Sequence, residues 1–369
     1  MWPRNRESRS DELLLIAGTR PEALKLEPLA SAWRGRLQQC WTGQQQNIPA
    51  EALSRPWMRL SGPPHPMKRA DLVAALGHAV GAYLRRSRPT AVVVQGDTAS
   101  AYAGAMAARE RDIPVVHLEA GLRSESLRSP FPEEAYRRRI TGMAALHLAP
   151  SALAVEHLVR EGIHPGRIVR VGSTAIDGLR RLADTGMPRS CDLLVDVHRR
   201  ENSGRALYDL ALELKLLAAS GWRICIASQP NDGWNERWTQ ALGDVREVVR
   251  LPLLDRRGWF AQTLASRCVL SDSGAAAEEL PYLGVPLLIY RRCCERPESV
   301  HSGHARLLSP LAGQNLGDEV RKALHDENWP APWPLLPESP YGDGNAGARA
   351  AAAVAAWLPE IRPNLRVVC

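Results

Sequence analysis

At 369 residues the chain is too long for one ordinary hydrophobic core, so two domains are expected. Apolar residues make up 45% and charged residues 24%, a globular composition. No apolar run approaches the ~20 residues that cross a bilayer, which argues against a membrane partner. The net charge of +7 suits an anionic partner. Its arginines are dispersed, in clusters such as Arg85-Arg86 and Arg137-Arg138-Arg139, and no aromatic–basic motif of an RNA-binding sheet is present. A phosphorylated small molecule is therefore expected rather than nucleic acid. Residues 1–12 are polar, with no apolar core of a signal peptide. The seven cysteines are scattered, odd in number and without a C-x-x-C pair, which suits reduced thiols and a cytoplasmic location.

Along the chain, unbroken apolar runs alternate with stretches of helical spacing. The runs are 13–16, 91–94, 115–118 and 168–171, then 193–197, 224–227, 248–251, 269–270 and 286–290. Runs without polar alternation suit strands buried on both faces, and repeated β-α units of this kind predict a doubly wound α/β architecture. A linker at 182–190 separates a first lobe (1–182) from a second (190–340). Residues 341–369 end in an alanine-rich helix over 345–358, and periodicity leaves open which lobe that helix packs on.

In open α/β sheets ligands bind at the carboxyl ends of the strands, so the polar residues there are the ones to read. After the first run comes Gly18-Thr19-Arg20-Pro21-Glu22-Ala23-Leu24-Lys25, a glycine turn entering a helix with two cations suited to an anion. Gln95-Gly96-Asp97-Thr98 follows the next run, and Asp97 reads equally as a helix cap or a catalytic group. Glu119 follows the 115–118 run, at another strand end. Pro132-Glu133-Glu134-Ala135-Tyr136-Arg137 then places two carboxylates and an arginine at a helix start. Carboxylates gathered at one rim repel one another unless acid–base chemistry requires them.

The second lobe offers His198-Arg199-Arg200-Glu201-Asn202 after a strand. Ser271-Asp272-Ser273-Gly274 then leads into a helix carrying Glu279, where a diphosphate fits the helix N-terminus and Glu279 accepts from ribose hydroxyls. Arg291, Arg292 and Arg296 add charge at the same rim. Gly342-Asp343-Gly344-Asn345-Ala346-Gly347 fits G-x-G-x-x-G literally but lacks a β-α-β unit, and reads as a glycine turn before the last helix. His301 and His304 have no third ligand nearby and make a poor metal site.

The blocks GTRPEALKLEPL, GDT, HLEAGLRS, SPFPEEAYR, HRREN, SDSGAAAEE, ERPE and SPYGDGNAGAR occur in this order from Gly18 to about Arg349. In that order the chain resembles the bacterial non-hydrolysing UDP-N-acetylglucosamine 2-epimerases. The resemblance implies two Rossmann-like lobes in a GT-B arrangement with the active site in the cleft between them, a homodimer, and neither cofactor nor metal. It implies conversion of UDP-GlcNAc to UDP-ManNAc through 2-acetamidoglucal and UDP, feeding bacterial surface polysaccharide. By the same resemblance Asp97, Glu119, Glu133 and His198 are catalytic. Arg20, Lys25 and Arg137 hold the diphosphate or orient the carboxylates, and Ser273, Gly274, Glu279 and Arg296 bind UDP.

Some positions depart from the family. Ala275 and Ala277 replace a glycine and a glutamine of the UDP site, and Tyr136 stands where asparagine is usual. Gln44 and Arg199 remain as remnants of a regulatory site whose Gln-His-x-x-Met segment is absent. Gln229 replaces a second-lobe histidine. Weak or absent substrate activation is the corresponding expectation. The alternatives are a modified UDP-sugar such as a 2,3-diacetamido-uronic acid, a hydrolysing epimerase, a GT-B glycosyltransferase and a silent binder.

Overall fold

The structure is a computed structural model and describes residues 12–46, 55–62, 67–124, 130–177, 179, 190–229, 232–243, 245, 247–292, 294–309, 316–326, 329 and 340–365. The chain divides into two compact units, residues 1–177 with 341–369, and residues 178–340. Most of the expected linker at 182–190 lies outside the described residues, as does part of the segment that follows Gln44.

Unit 1 runs β1 (Glu12–Ala17), α1 (Arg20–Ala32), β2 (Arg36–Trp41), β3 (Met58–Arg59), α2 (Arg69–Ser87), β4 (Ala91–Gln95), α3 (Ala99–Arg109), β5 (Val115–Leu118), α4 (Glu133–Met143), β6 (Leu146–Ala149), α5 (Ala152–Arg160) and β7 (Ile168–Arg170). Its described strands form one parallel sheet in the order β3-β2-β1-β4-β5-β6-β7. Successive residues of β1 point to opposite faces, as a pleated strand requires. Leu13, Leu15 and Ala17 pack with Ala23, Leu26 and Leu29 of α1, while Leu14 and Ile16 pack with Val80, Leu84, Ala101 and Ala105 of α2 and α3. Both faces are covered, which is why β1 reads as an unbroken apolar run.

Unit 2 runs β8 (Cys191–Asp196), α6 (Arg205–Ala219), β9 (Ile224–Ile226), α7 (Asp232–Leu242), β10 (Val248–Arg250), α8 (Arg256–Leu264), β11 (Ser266–Ser271), α9 (Ala276–Tyr282), β12 (Leu287–Tyr290), α10 (Glu298–His301), β13 (Ala305–Leu308) and α11 (Leu316–His325). Its described strands form a second parallel sheet, β10-β9-β8-β11-β12-β13. In both sheets the order reverses beside the first strand, between β1 and β4 and between β8 and β11. Crevices for ligands open at such reversals, outside the carboxyl ends of the strands.

The last helix, α12 (Ala346–Leu365), belongs to unit 1. Its Ala350, Val354, Trp357 and Leu358 join the core on the α1 side of the sheet. The Gly342–Gly347 segment is the turn before it: Gly342 and Gly344 take φ of 95° and 81°, and Asp177 accepts from the Ala346 and Gly347 amides at 2.9 and 2.6 Å. Four strands escape the apolar-run reading. The first of them, β2, carries Arg36, Gln38 and Gln39 and is fully buried only over its last three residues. Short β3, β6 and β13 also lack long runs. Among the described residues no helix is long and apolar enough to cross a membrane. The described cysteines Cys40, Cys191, Cys225, Cys268 and Cys294 are free thiols.

Gly347 and Gly77 give opposite expectations. A Cβ on Gly347 would stand 2.4 Å from the backbone carbon of Pro28 in α1, so Gly347→Ala must push α12 off α1. It should destabilise by about 1–3 kcal/mol, the usual cost of overpacking. Gly77, inside α2, has nothing within 4 Å of a Cβ, so Gly77→Ala should stabilise by about 0.4–1 kcal/mol. Thermal melts of the two variants should move in opposite directions.

Candidate active site

In unit 1 the polar groups converge on the ends of β1, β4 and β5. Gln95 and Leu118 are register partners, so Asp97 and Glu119 extend from neighbouring strands just beyond the sheet. Thr98, not Asp97, caps α3, its hydroxyl accepting from the Ala101 amide at 3.0 Å. Asp97 is therefore released from the capping role that the sequence left open, and its carboxylate pairs with Arg137. Arg137, 2% exposed, gives its other terminal nitrogen to Glu134 at 2.6 Å. Glu134 is fully buried and also receives Arg138 at 2.8 Å and the Ser124 amide at 3.1 Å. That knot ties α4 to the turns after β4 and β5.

Glu119 is held separately. Lys25, from α1, pairs with its Oε2, and Gln95 donates to the same oxygen at 2.8 Å. Glu119 takes φ of 65°, a left-handed conformation that a residue with a long side chain adopts at some cost, of order 1–3 kcal/mol. The strained residue carries a partnered carboxylate at a strand end, which points to function. His117 is fully buried, and burial holds its pKa down at about 3. The neutral ring therefore donates from Nε2 to the Gly96 carbonyl at 2.8 Å, pinning the turn that carries Asp97.

Glu22 was not singled out by sequence, though Thr19-x-x-Glu22 is a capping-box pattern. Its fully buried carboxyl receives the Gly18 amide at 3.0 Å, the Thr19 amide and hydroxyl each at 2.8 Å, and the Thr98 hydroxyl at 2.5 Å. Burial pushes its pKa up to about 7, although the hydrogen bonds from Thr98, Gly18 and Thr19 pull it down. Arg20 sits at the start of α1 with its amide on Gln45 at 2.8 Å. Gln44 accepts from the amide and hydroxyl of Ser100 at 2.9 and 2.8 Å and so braces the start of α3. Glu133 is half-buried at the first position of α4, and its side chain makes no hydrogen bond or ion pair with the described residues.

In unit 2 the polar groups gather at the ends of β8 and β11, again at the reversal. Asp272 is fully buried and accepts from the amides of His198 (3.1 Å) and Arg199 (2.8 Å) and from Nδ2 of Asn202 (2.9 Å). The His198 ring meets Asp196 through Nδ1 at 3.2 Å. Burial opposes charge on that ring, but Asp196, as charge and acceptor, and then Asp272 outweigh it and raise the pKa to about 9. The side chain keeps 35% of its surface exposed, so solvent screens part of that pull.

Around the UDP-site candidates lies a buried charge network. Arg296 pairs with Glu278 and with Glu295 at 3.0 Å, and Arg291 pairs with Glu295 and lies 3.6 Å from Glu201. Arg199 approaches Glu295 at 3.7 Å. A Cβ on Gly274 would stand 2.6 Å from Nη1 of Arg296, so glycine there leaves room for the guanidinium. Glu279 pairs with Arg256 at 3.3 Å. The expected amide cradle is altered at Ser273, whose N–H donates to Ser271 Oγ at 3.0 Å. Helix α9 starts only at Ala276 and has seven residues. Arg291 carries buried nitrogens, Nε and Nη2, without a hydrogen-bond partner among the described residues. His304 is buried with Nδ1 against the Ser302 hydroxyl at 3.0 Å.

Two parallel sheets flanked by helices, each with its polar residues at the strand-order reversal, define a two-lobed α/β enzyme of the GT-B fold class. The family model for UDP-N-acetylglucosamine 2-epimerase matches residues 37–355. A probable UDP-N-acetylglucosamine 2-epimerase of Ralstonia nicotianae is 31% identical, with 94% of this chain and 99% of the relative covered. Among solved structures, a putative UDP-N-acetylglucosamine 2-epimerase from Listeria monocytogenes superposes with a TM-score of 0.86 at 28% identity, covering 95% of this chain and 97% of that one. The Neisseria meningitidis UDP-GlcNAc 2-epimerase, bound to UDP-GlcNAc, gives 0.82 at 25% identity, covering 94% and 100%. The chain therefore belongs to the UDP-N-acetylglucosamine 2-epimerase family, and its enzyme class is epimerase, an isomerase.

The fully buried Glu22 has a stability consequence. With its folded pKa near 7 and its ordinary value 4.5, protonation favours the folded state. The resulting stability is complete below about pH 4.5 and is lost as pH rises through about 7. Glu22→Gln, which mimics the protonated acid, should gain on the parent by up to about 3 kcal/mol between pH 5 and pH 8. Denaturation midpoints of the two proteins at both pH values check this.

Proposed function

We propose that the chain interconverts UDP-GlcNAc and UDP-ManNAc without net hydrolysis, by elimination and re-addition of UDP. The observation that carries the reading is the pair of strand-end carboxylates with separate cation partners, Asp97 with Arg137 and Glu119 with Lys25. Inversion at C2 takes a proton from one face of the sugar and returns one to the other, which calls for two acid–base groups held apart.

The C2–H bond of the sugar is not acidic as it stands, because no carbonyl adjoins it. Breaking the C1–O bond sends its electron pair to UDP and leaves an oxocarbenium-like centre at C1. The C2 proton then passes to a carboxylate, and the C2–H electrons form the C1–C2 double bond of 2-acetamidoglucal. In the return direction C2 is protonated on the opposite face and a diphosphate oxygen re-forms the bond to C1. Asp97 and Glu119 are assigned to the proton transfers, with Glu133 as a third carboxylate. Arg20, Lys25 and Arg137 fix charge around them. In unit 2, Arg296, Ser273, Gly274 and Glu279 hold the UDP portion, and His198 donates to the leaving diphosphate. The Neisseria relative bound to UDP-GlcNAc supports the choice of sugar. Use of the product in bacterial surface polysaccharide, a homodimeric assembly and a cytoplasmic location belong to the same reading.

The test is proton NMR of the sugar during incubation with UDP-GlcNAc in deuterated water. Deuterium at C2 together with UDP-ManNAc is expected. Free ManNAc and UDP as end products would instead make the enzyme hydrolysing, and absence of exchange would move the substrate to a modified UDP-sugar. Asp97→Asn and Glu119→Gln should each lower the exchange rate by about 10²–10⁴-fold.

A further inference from the structure

We propose that Asp196 is a positioning residue for the reaction, its buried carboxylate accepting Nδ1–H of His198 so that the charged ring turns its Nε2–H toward the leaving diphosphate. The inference rests on the UDP-elimination reading above and adds to it a residue outside the family motifs.

Asp196 is the last residue of β8, 7% exposed, and its carboxylate is surrounded by donors. Gln229, beyond the end of β9, donates Nε2 to Oδ1 at 2.7 Å, and Ser271, the last residue of β11, donates its hydroxyl to Oδ2 at 3.1 Å. These neutral groups come from the strands on either side of β8 and hold the carboxylate in place. The one titratable donor on it among the described residues is His198, with Nδ1 at 3.2 Å from Oδ1. A carboxylate can only accept, so the ring nitrogen facing it carries the proton.

Asp272 has a different role in the same cluster. Its oxygens take the amides of His198 and Arg199 and the side chain of Asn202, and they lie 3.6 Å or more from the ring nitrogen. Asp272 fixes the backbone of the turn while Asp196 fixes the ring. The groups facing the imidazole are thus Asp196 from β8, Asp272 from the turn after β11, and Arg199 from its own turn, the last opposing the charge. A neutral ring with its proton on Nδ1 would offer a lone pair at Nε2 to a departing, increasingly negative diphosphate. The imidazolium offers a donor instead, which stabilises the charge that develops on UDP as C1–O breaks.

The test reads the ring directly. Nitrogen-15 spectra of the histidine side chains, with His198 assigned by its loss in His198→Gln, should show both ring nitrogens protonated at pH 7.5. Deprotonation should come near pH 9 in the parent protein and near the ordinary 6.5 in Asp196→Asn. With UDP-GlcNAc as substrate, kcat/KM of Asp196→Asn should then fall roughly tenfold per pH unit above about 6.5, while the parent stays level to about pH 9. A neutral His198 in the parent at pH 7.5, or the same titration in both proteins, overturns the proposal. A purely structural Asp196 would lower the melting temperature without moving the titration. If Asp196→Asn does not fold, the parent spectrum at pH 7.5 decides alone. A parent protein without turnover would count against UDP-GlcNAc as the substrate, and the nitrogen spectra would still judge the role of Asp196.

Discussion

Arg137 is the contact on which the arrangement of unit 1 depends. A guanidinium at 2% exposure has lost nearly all its water, and in a low-dielectric interior that loss is tolerated only with close, hydrogen-bonded counter-charges. Among the described residues Arg137 pairs with Asp97 after β4 and with Glu134 one turn back on α4. Because Glu134 also takes the Ser124 amide, three separate segments are fixed by one planar group whose fork geometry lysine does not reproduce. Removing Arg137 would take a shared cation from both carboxylates and leave Glu134 to the more exposed Arg138. On the proposed mechanism, the acid–base geometry at the sheet edge rests in part on that one side chain.

Unit 2 meets the same constraint with more groups. Arg291 and Arg296 are nearly inaccessible and are balanced by Glu278, Glu295 and, at longer range, Glu201. On the proposed mechanism, the carboxylates here hold cations for a diphosphate, whereas in unit 1 the cations hold carboxylates for proton transfer. Arg291 still has buried nitrogens without a hydrogen-bond partner among the described residues. Buried donors of this kind cost free energy unless a ligand or water completes them.

Much of this was legible in the sequence for a specific reason. Strands covered on both faces have to be apolar throughout, so β1, β4, β5, β8 and β12 stand out, and the polar residues that follow them mark the sites. What escaped were elements and groups whose meaning is set by neighbours distant in sequence. Arg36, Gln38 and Gln39 hide β2, because only its second half is buried. Glu134 looked equivalent to Glu133 until the helix turned Glu134 inward onto Arg137 and left Glu133 half-exposed. Asp196 looked like one more strand residue, since its partners His198, Gln229 and Ser271 come from three different strand ends. Ser273 shows the converse: its place before a helix suggested an amide free for phosphate, and a local turn instead gives that amide to Ser271.

Glu22 and Asp196 show why burial alone does not set the state of an acid. Both are carboxyls removed from water, and in both cases burial is the largest influence and acts to raise the pKa. Glu22 is surrounded only by neutral donors, two amides and two hydroxyls, and its pKa stays up at about 7. Asp196 has a histidine at 3.2 Å besides its neutral donors, and its pKa falls below the ordinary aspartate value. The difference is the presence of a cation, because neutral dipoles only partly replace the lost hydration while a facing charge more than replaces it. The same pairing that holds Asp196 as an anion holds His198 as a cation, so each is the reason for the other's charge. Glu22, with no cation of its own, is suited to tying the turn after β1 to Thr98 as a hydrogen-bonding brace, and not to taking a proton from a sugar.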